Sequence, residues 1–331
     1  MVGAEVEQAR ARLQLSYAKR GLATALVSGI LWGLDGVLLG LAVARTPFIS
    51  GRHLFTGPLV GSALHDGLAG VYLLAYNLAT GRWRELGRSL ATRPGQLVCL
   101  AALFGGPLAM SGYLLGISFA GAAYAMGISA LYPVVGALMA QLVLKERITA
   151  RAWLGIIACV AGAILIGYVR PEGSHPHFYL GIGLALLSAV GWGIEGVIST
   201  FGMDMVDPAV AINLRESASC AIFLVALLPL VGGWAVLARV PANAPVVGIL
   251  SAAALVGAAS YLLWYLAFSM CGVARTMSLN ITYALWGLLL SWAIGEVRLS
   301  ANLALGALVV TVGAALVVAN PRELVRLRGR Q

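Results

Sequence analysis

The sequence predicts an all-α polytopic membrane protein of ten transmembrane helices, arranged as two inverted five-helix repeats. Three observations carry that prediction. Of 331 residues, 60% are hydrophobic and 11% charged, with mean hydropathy +0.90, whereas soluble domains are about half apolar and about a quarter charged. The apolar residues gather in ten segments, each near the roughly 20 residues needed to cross a bilayer. The pentapeptide WGLDG at 32–36 returns as WGIEG at 192–196, both copies deep inside such segments, where a carboxylate is costly.

The segments run 21–44, 54–79, 96–116, 121–143 and 150–169, then 179–202, 208–231, 245–268, 273–294 and 301–319. Residues 1–20 carry acids and several bases before the first apolar run, so they read as a solvated tail or surface helix rather than a signal peptide. Residues 320–331 form a basic tail. The links are short and leave no room for a soluble domain. With the N-terminus in the cytoplasm, sixteen of the 22 lysines and arginines fall inside and five outside (Arg45, Arg52, Arg170, Arg239 and Arg298), while Arg215 lies within a span. The positive-inside rule therefore places both termini in the cytoplasm, and the location expected is the plasma (cell inner) membrane. The net charge of +9 is a topology signal and not a nucleic-acid surface, because the bases sit in loops and termini without an aromatic-basic motif. Cys99, Cys159, Cys220 and Cys271 lie one per distant segment, without metal-ligand spacing or a disulfide framework. No metal or cofactor is expected.

Aligning 21–169 with 179–319 brings the two pentapeptides together. Leu64-His65-Asp66 then falls over Leu214-Arg215-Glu216. Further on, Gly121, Tyr132, Gly136, Arg147, Gly155 and Gly162 match Gly272, Tyr283, Gly287, Arg298, Gly306 and Gly313 at one constant offset. Five helices is an odd number, so the second repeat must enter the membrane upside down. Inverted repeats characterise secondary transporters, whose site lies near the midplane where the halves meet. Among the 41 glycines, Gly36-x3-Gly40 and Gly112-x3-Gly116 suit close helix contact. Pro107 and Pro133 read as kinks.

Ionisable residues at membrane depth face the bundle interior and mark pathways. Here they are Asp35, Asp66, Glu195, Arg215 and Glu216: four acids and one arginine, an acidic interior in a basic chain. Trp32 and Asp35 share a helical face, as do Trp192 and Glu195. Asn280, Tyr283 and Trp286 repeat that spacing, and Tyr261, Tyr265 and Phe268 offer a further aromatic face. Rings beside a carboxylate suit an organic cation: a quaternary ammonium has no hydrogen-bond donor and is held by ring quadrupoles, with an acid balancing its charge. The substrate-binding candidates are thus Trp32, Asp35, Trp192, Glu195, Tyr261, Asn280, Tyr283 and Trp286. Asp66, Arg215 and Glu216 are candidates for coupling or gating, with protons as the coupling ion. Arg215 pairs with Asp66 or snorkels; as neighbours on different faces, Arg215 and Glu216 need not pair. His65 reads as a satisfied interior histidine. An intramembrane enzyme is not expected, because Ser118 and Ser129 have no histidine on a later span to act as base and no HExxH or phosphate-binding loop is present.

The stretches SGILWGLDG, LHDGL, FGGPLAMSGYLLGISFAGAAYAMGISALYPVVGAL, AVGWGIEGVISTFGM, INLRESAS and SLNITYALW resemble EamA-type members of the drug/metabolite transporter superfamily, and in particular its LicB-type choline transporters. The resemblance implies a ten-helix inverted-repeat importer of choline or a related quaternary amine. It places Trp32, Trp192, Glu195, Tyr261, Tyr283 and Trp286 in a central aromatic pocket. Asp35, Glu216 and Ser111-Gly112 depart from the pattern, which widens the implied substrate to a small organic cation. The alternative is an EamA-type exporter of amino acids or other small metabolites.

Overall fold

The computed structural model describes residues 2–50, 55–120, 125, 128–167, 177–295 and 301–318. The expected basic tail at 320–331, and Arg52, Arg170 and Arg298 of the sparse outer set, lie outside those residues. The chain folds as α1 (Val2–Val43), α2 (Thr56–Ala79), a short α3 (Trp83–Leu90), α4 (Arg93–Ala120), α5 (Tyr132–Val143), α6 (Ala150–Gly167), α7 (Phe178–Gly202), α8 (Pro208–Leu230), α9 (Ala244–Cys271), α10 (Val273–Asn280), α11 (Tyr283–Ala293) and α12 (Ala301–Val318). Five of these, α1, α4, α7, α8 and α9, are both long and apolar enough to cross a membrane, and the shorter α5, α6 and α12 are apolar. At 1.5 Å per residue, the 28 residues of α9 reach about 42 Å. Residues 2–20 are not separate from the first span, as expected for a tail, but continue its helix.

Local sequence explains the ends. Thr92, Asp207 and Asn243 cap α4, α8 and α9, each accepting a backbone N–H of the first turn, with Pro94, Pro208 and Pro245 just inside. Gly272, at φ +82, makes the sharp turn between α9 and α10, a backbone conformation that glycine adopts without steric cost. Pro107 lies in a π-helical turn, Phe104–Met110, inside α4. Pro133 lies in the first turn of α5, so it starts a helix rather than kinking one.

The expected fourth and ninth spans are not continuous helices. Ala130 and Leu131 form a turn before Tyr132, and Ile281 and Thr282 form one before Tyr283. These breaks are equivalent in the two repeats, since Tyr132 and Tyr283 are aligned partners. Residues 121–124 and 126–127 of the fourth span lie outside the described residues.

Packing confirms the inversion. A methyl group on Gly155 of α6 would stand 2.7 Å from Gly313 O of α12, and one on Gly162 would stand 2.8 Å from Gly306 O. Glycines matched by sequence thus meet crosswise, as a two-fold axis requires. The contacts run in opposite directions along the two helices, so the last helices of the repeats are antiparallel. The second helices behave likewise: Gly67 and Gly70 of α2 face Cys220 and Ser217 of α8. The first helix of each repeat packs on the third of the other, α1 on α9 and α7 on α4.

Of the two small-residue pairs, Gly112 and Gly116 abut Leu184 O and Gly181 O of α7. Gly36 and Gly40 are exposed, and a methyl group on either would meet no atom within 4 Å. Only the second pair in the chain makes the helix contact expected of both.

Candidate functional site

Two layers of side chains meet where the repeats join. The first is a cluster of ionisable groups. In the first repeat, Asp35 Oδ1 on α1 lies 3.1 Å from His65 Nε2 on α2. In the second, Glu195 Oε1 on α7 accepts from Arg215 Nε on α8 at 3.0 Å. The acid of each tryptophan-glycine motif is therefore paired with a base on the next transmembrane helix of its own repeat, the two bases being aligned partners. Asp66 and Glu216, also partners, complete the cluster. Asp66 Oδ1 lies 3.3 Å from His65 Nδ1, and Asp66 Oδ2 lies 3.9 Å from Arg215 Nη1 and accepts from Ser219 Oγ. Arg215 Nη1 donates to Glu216 Oε1. Tyr265 donates to Glu195 Oε1 at 2.8 Å, and Ser199 Oγ is 2.9 Å from the Tyr265 hydroxyl. Arg215, Glu195, Glu216, His65 and Asp66 are completely buried. Each acid would cost roughly 2.5–3.5 kcal/mol alone at a helix centre, so this pairing is what makes the motif tolerable. The glycines of the π-helical turn admit the cluster: a side chain on Gly105 would collide with Glu195 and Arg215, and one on Gly106 with Ser219.

The second layer is a pocket of rings directly against the first. Trp32 from α1, Tyr132 from α5, Trp192 from α7, Ser260, Tyr261 and Trp264 from α9, Asn280 from α10 and Tyr283 from α11 line it. Both helix breaks thus end at the pocket, each delivering its tyrosine. Trp32 and Trp192 meet edge to face with ring centroids 6.4 Å apart, and Trp32 and Tyr261 are 4.9 Å apart. Trp192 Nε1 donates to Gly105 O at 3.1 Å, so the π-helical turn fixes the ring. Tyr132 donates to Asn280 Oδ1 at 2.8 Å, and Asn280 Nδ2 donates to Ser28 Oγ at 2.9 Å, tying α5, α10 and α1 together. About 330 Å³ lies between the lining atoms, of which the open part holds about one water molecule. The rings are drawn together.

The two layers communicate through Tyr261 and Trp32. The Arg215 guanidinium carbon sits 5.1 Å from the Tyr261 ring centroid. His65 lies 6.2 Å from Tyr261 and 6.3 Å from Trp32, centroid to centroid.

Of the expected substrate-contacting residues, Trp32, Trp192, Tyr261, Asn280 and Tyr283 line the pocket together. Asp35 and Glu195 do not; no carboxylate among the described residues lines it, and both acids lie behind the rings in ion pairs. The reason is angular: residues three apart differ by about 60° around a helix axis, enough to send Trp32 into the pocket and Asp35 between α2 and α9. Trp286 is displaced too. The break at Ile281–Thr282 turns it towards α1, where its Cβ lies beside Gly33. Arg215 and Glu216 do pair with each other, although neighbours, because the long guanidinium reaches across to its own chain neighbour as well as to Glu195. Arg215 is fully buried and does not snorkel. His65 is a satisfied interior histidine, as expected.

Tyr132, Ser260 and Trp264 line the pocket although nothing in their spacing singles them out. Tyr132 is within reach of the sequence, since the repeat alignment equates it with Tyr283. Trp264 lies three residues from Tyr261 and takes the face expected of Tyr265, which turns instead to Glu195.

A polytopic bundle of two inverted repeats that close on a central pocket defines a membrane transporter. The sequence profile of the EamA-like transporter family matches residues 19–168 and again 179–319. The chain belongs to that family. It is 31% identical over 191 residues to Protein LicB of Haemophilus influenzae (strain ATCC 51907 / DSM 11121 / KW20 / Rd), a stretch that is 57% of this chain and 63%, less than two thirds, of LicB. A crystal structure of a protein 18% identical in sequence superposes with a TM-score of 0.70, covering 91% of this chain and 96% of the other. That likeness supports the fold.

Proposed function

We propose that this transporter carries a small organic cation, choline or a related quaternary amine, by alternating access between its two repeats. The observation that carries the reading is the pocket walled by Trp32, Trp192, Tyr261, Trp264, Tyr132 and Tyr283 at the junction of the repeats. A quaternary ammonium is held by such ring faces, each contact contributing roughly 0.5–2 kcal/mol when desolvated. The balancing charge comes from the cluster behind the rings, whose four acids outnumber Arg215 and His65 and lie beyond these two bases. The resemblance to LicB-type choline transporters supports the same substrate class. The narrow opening fits a contracted state: the rings must separate as the repeats rock, and the broken helices α5 and α10–α11, which end at the pocket, are the places for that movement. Protons are the proposed coupling ion. The distribution of lysine and arginine supports both termini in the cytoplasm, with the chain in the plasma membrane.

A second reading, export of amino acids or other small metabolites, draws support from the Tyr261 hydroxyl and the Trp264 Nε1, buried in the lining side chains without a hydrogen-bond partner among the described residues, which suit a ligand with hydrogen-bonding groups. Thermal stability of the purified protein with choline, betaine, arginine or phenylalanine separates the two. Stabilisation by choline that Trp192→Ala reduces is the expected result. Stabilisation by the amino acids alone replaces the first reading with the second.

A further inference from the structure

The two repeats place equivalent acid–base pairs at equivalent positions, but their bases differ in kind. Arginine is permanently protonated in proteins, whereas histidine exchanges its proton near neutral pH. The Glu195–Arg215 contact therefore always has its bridging proton, supplied by the guanidinium. The Asp35–His65–Asp66 triad does not.

Counting protons in the triad makes the difference concrete. Both ring nitrogens of His65 face carboxylate oxygens, Nε2 towards Asp35 at 3.1 Å and Nδ1 towards Asp66 at 3.3 Å. A neutral imidazole has one N–H and one bare lone pair, and an ionised carboxylate is an acceptor only. Each nitrogen–oxygen contact needs a proton between its atoms, so the arrangement holds two: an imidazolium between two carboxylates, or an imidazole between one carboxylate and one carboxylic acid. Release of one proton to water leaves a lone pair facing a carboxylate, and that contact must open.

We propose that the Asp35–His65–Asp66 triad is the site that binds and releases the coupling proton, and that Glu195–Arg215 is its counterpart with a fixed bridging proton. What the proton drives rests on the transporter reading above; where it resides does not. The surroundings fit such a site. On α8, Arg215 lies 3.9 Å from Asp66, with Glu216 bonded to it. Glu195 on α7 lies beyond Arg215. On α9, Gly257 packs against His65 and Asp35, and the Tyr261 ring is 6.2 Å from the imidazole. His65 touches the pocket through Trp32 and Tyr261, so loss of its proton changes the field behind the rings while moving the ring they pack on. Proton and substrate are thus linked through shared walls without sharing a cavity.

Two measurements on the full chain test this. The first is ¹⁵N NMR of the imidazoles in lipid nanodiscs, from about pH 5 to about pH 9. Among the four histidines, the signals that disappear in His65→Gln are expected to change within that range, by loss of a ring proton or by loss of the hydrogen bond that the bare nitrogen accepts from a carboxylic acid. His65 nitrogen signals that show neither change overturn the proposal, whatever the substrate. The second compares, in proteoliposomes, choline accumulation driven by a pH gradient with choline counterflow. His65→Arg places in the first repeat the fixed cation that the second repeat has. The ratio of driven accumulation to counterflow is expected to fall about tenfold or more, and likewise in His65→Gln. A ratio kept at the wild-type value in either variant overturns the proposal. Wild-type protein without choline counterflow would count against the substrate reading, and the NMR titration would still decide the triad.

Discussion

Trp192 joins the two layers of the site. Its indole nitrogen is fixed on Gly105 O, its ring stands against Trp32, Tyr113 and Tyr132, and Glu195, three residues on, anchors Arg215. Truncation at the ring wall should therefore act on ligand affinity: Trp192→Ala and Tyr261→Ala are each expected to weaken choline binding about 2- to 30-fold by calorimetry, the range of one cation–π contact. Trp286→Ala, outside the lining, should leave the affinity unchanged. The cluster should act on stability. Arg215→Leu strands buried carboxylates and is expected to cost about 3–5 kcal/mol, read as a marked fall in unfolding temperature in detergent. Arg215→Leu with Glu195→Leu should recover part of that loss, because one stranded charge goes with the arginine. Most of these residues are visible in the sequence, since tryptophans and acids at membrane depth stand out against an apolar background. Most of their partners are not, because Asp35–His65, Glu195–Arg215 and Tyr132–Asn280 each bridge two helices, and spacing along one helix cannot say which neighbouring helix a side chain faces.

At the scale of elements, the matched glycines carry the argument. The sequence equates Gly155 with Gly306 and Gly162 with Gly313, and the fold pairs them crosswise. Cysteine pairs at 155 with 313 and at 162 with 306, in a background without native cysteines, should cross-link with a short bifunctional reagent. The pair 155 with 306 should not; cross-linking of that pair alone would mean parallel last helices and no inversion. Span number and length are legible from hydropathy. The breaks before Tyr132 and Tyr283 are not: the apolar run continues through the first, the polar residues around the second (Ser278, Asn280 and Thr282) read equally well as a site-lining helix face, and no proline or glycine falls at the break residues themselves. That is also why the sequence misplaces Trp286: its spacing from Asn280 assumes one straight helix. On α9, Tyr261, Trp264, Tyr265 and Phe268 all fall on one face, within about 100° of one another, so periodicity alone cannot choose which of them reach the pocket.

For the whole molecule, the two-fold relation holds in the crosswise glycine contacts and the matched helix breaks and is broken at the base of each acid–base pair, histidine in one half and arginine in the other. Symmetry provides two alternating conformations of nearly equal energy; the asymmetry provides a group through which a proton gradient can bias them. Orientation is testable separately. A single cysteine at Arg84, in α3, is expected to resist a membrane-impermeant thiol reagent applied to intact cells, and one at Arg45, beyond the end of α1, to react. The reverse pattern would turn the molecule over and put the basic links outside. The central claim is that the ring-walled pocket between the repeats carries a small organic cation. Counterflow of radiolabelled choline into proteoliposomes preloaded with unlabelled choline tests it most directly. The account predicts transient accumulation by the wild-type protein that Trp192→Ala and Tyr261→Ala reduce; no accumulation by the wild type, or accumulation indifferent to both substitutions, would contradict it.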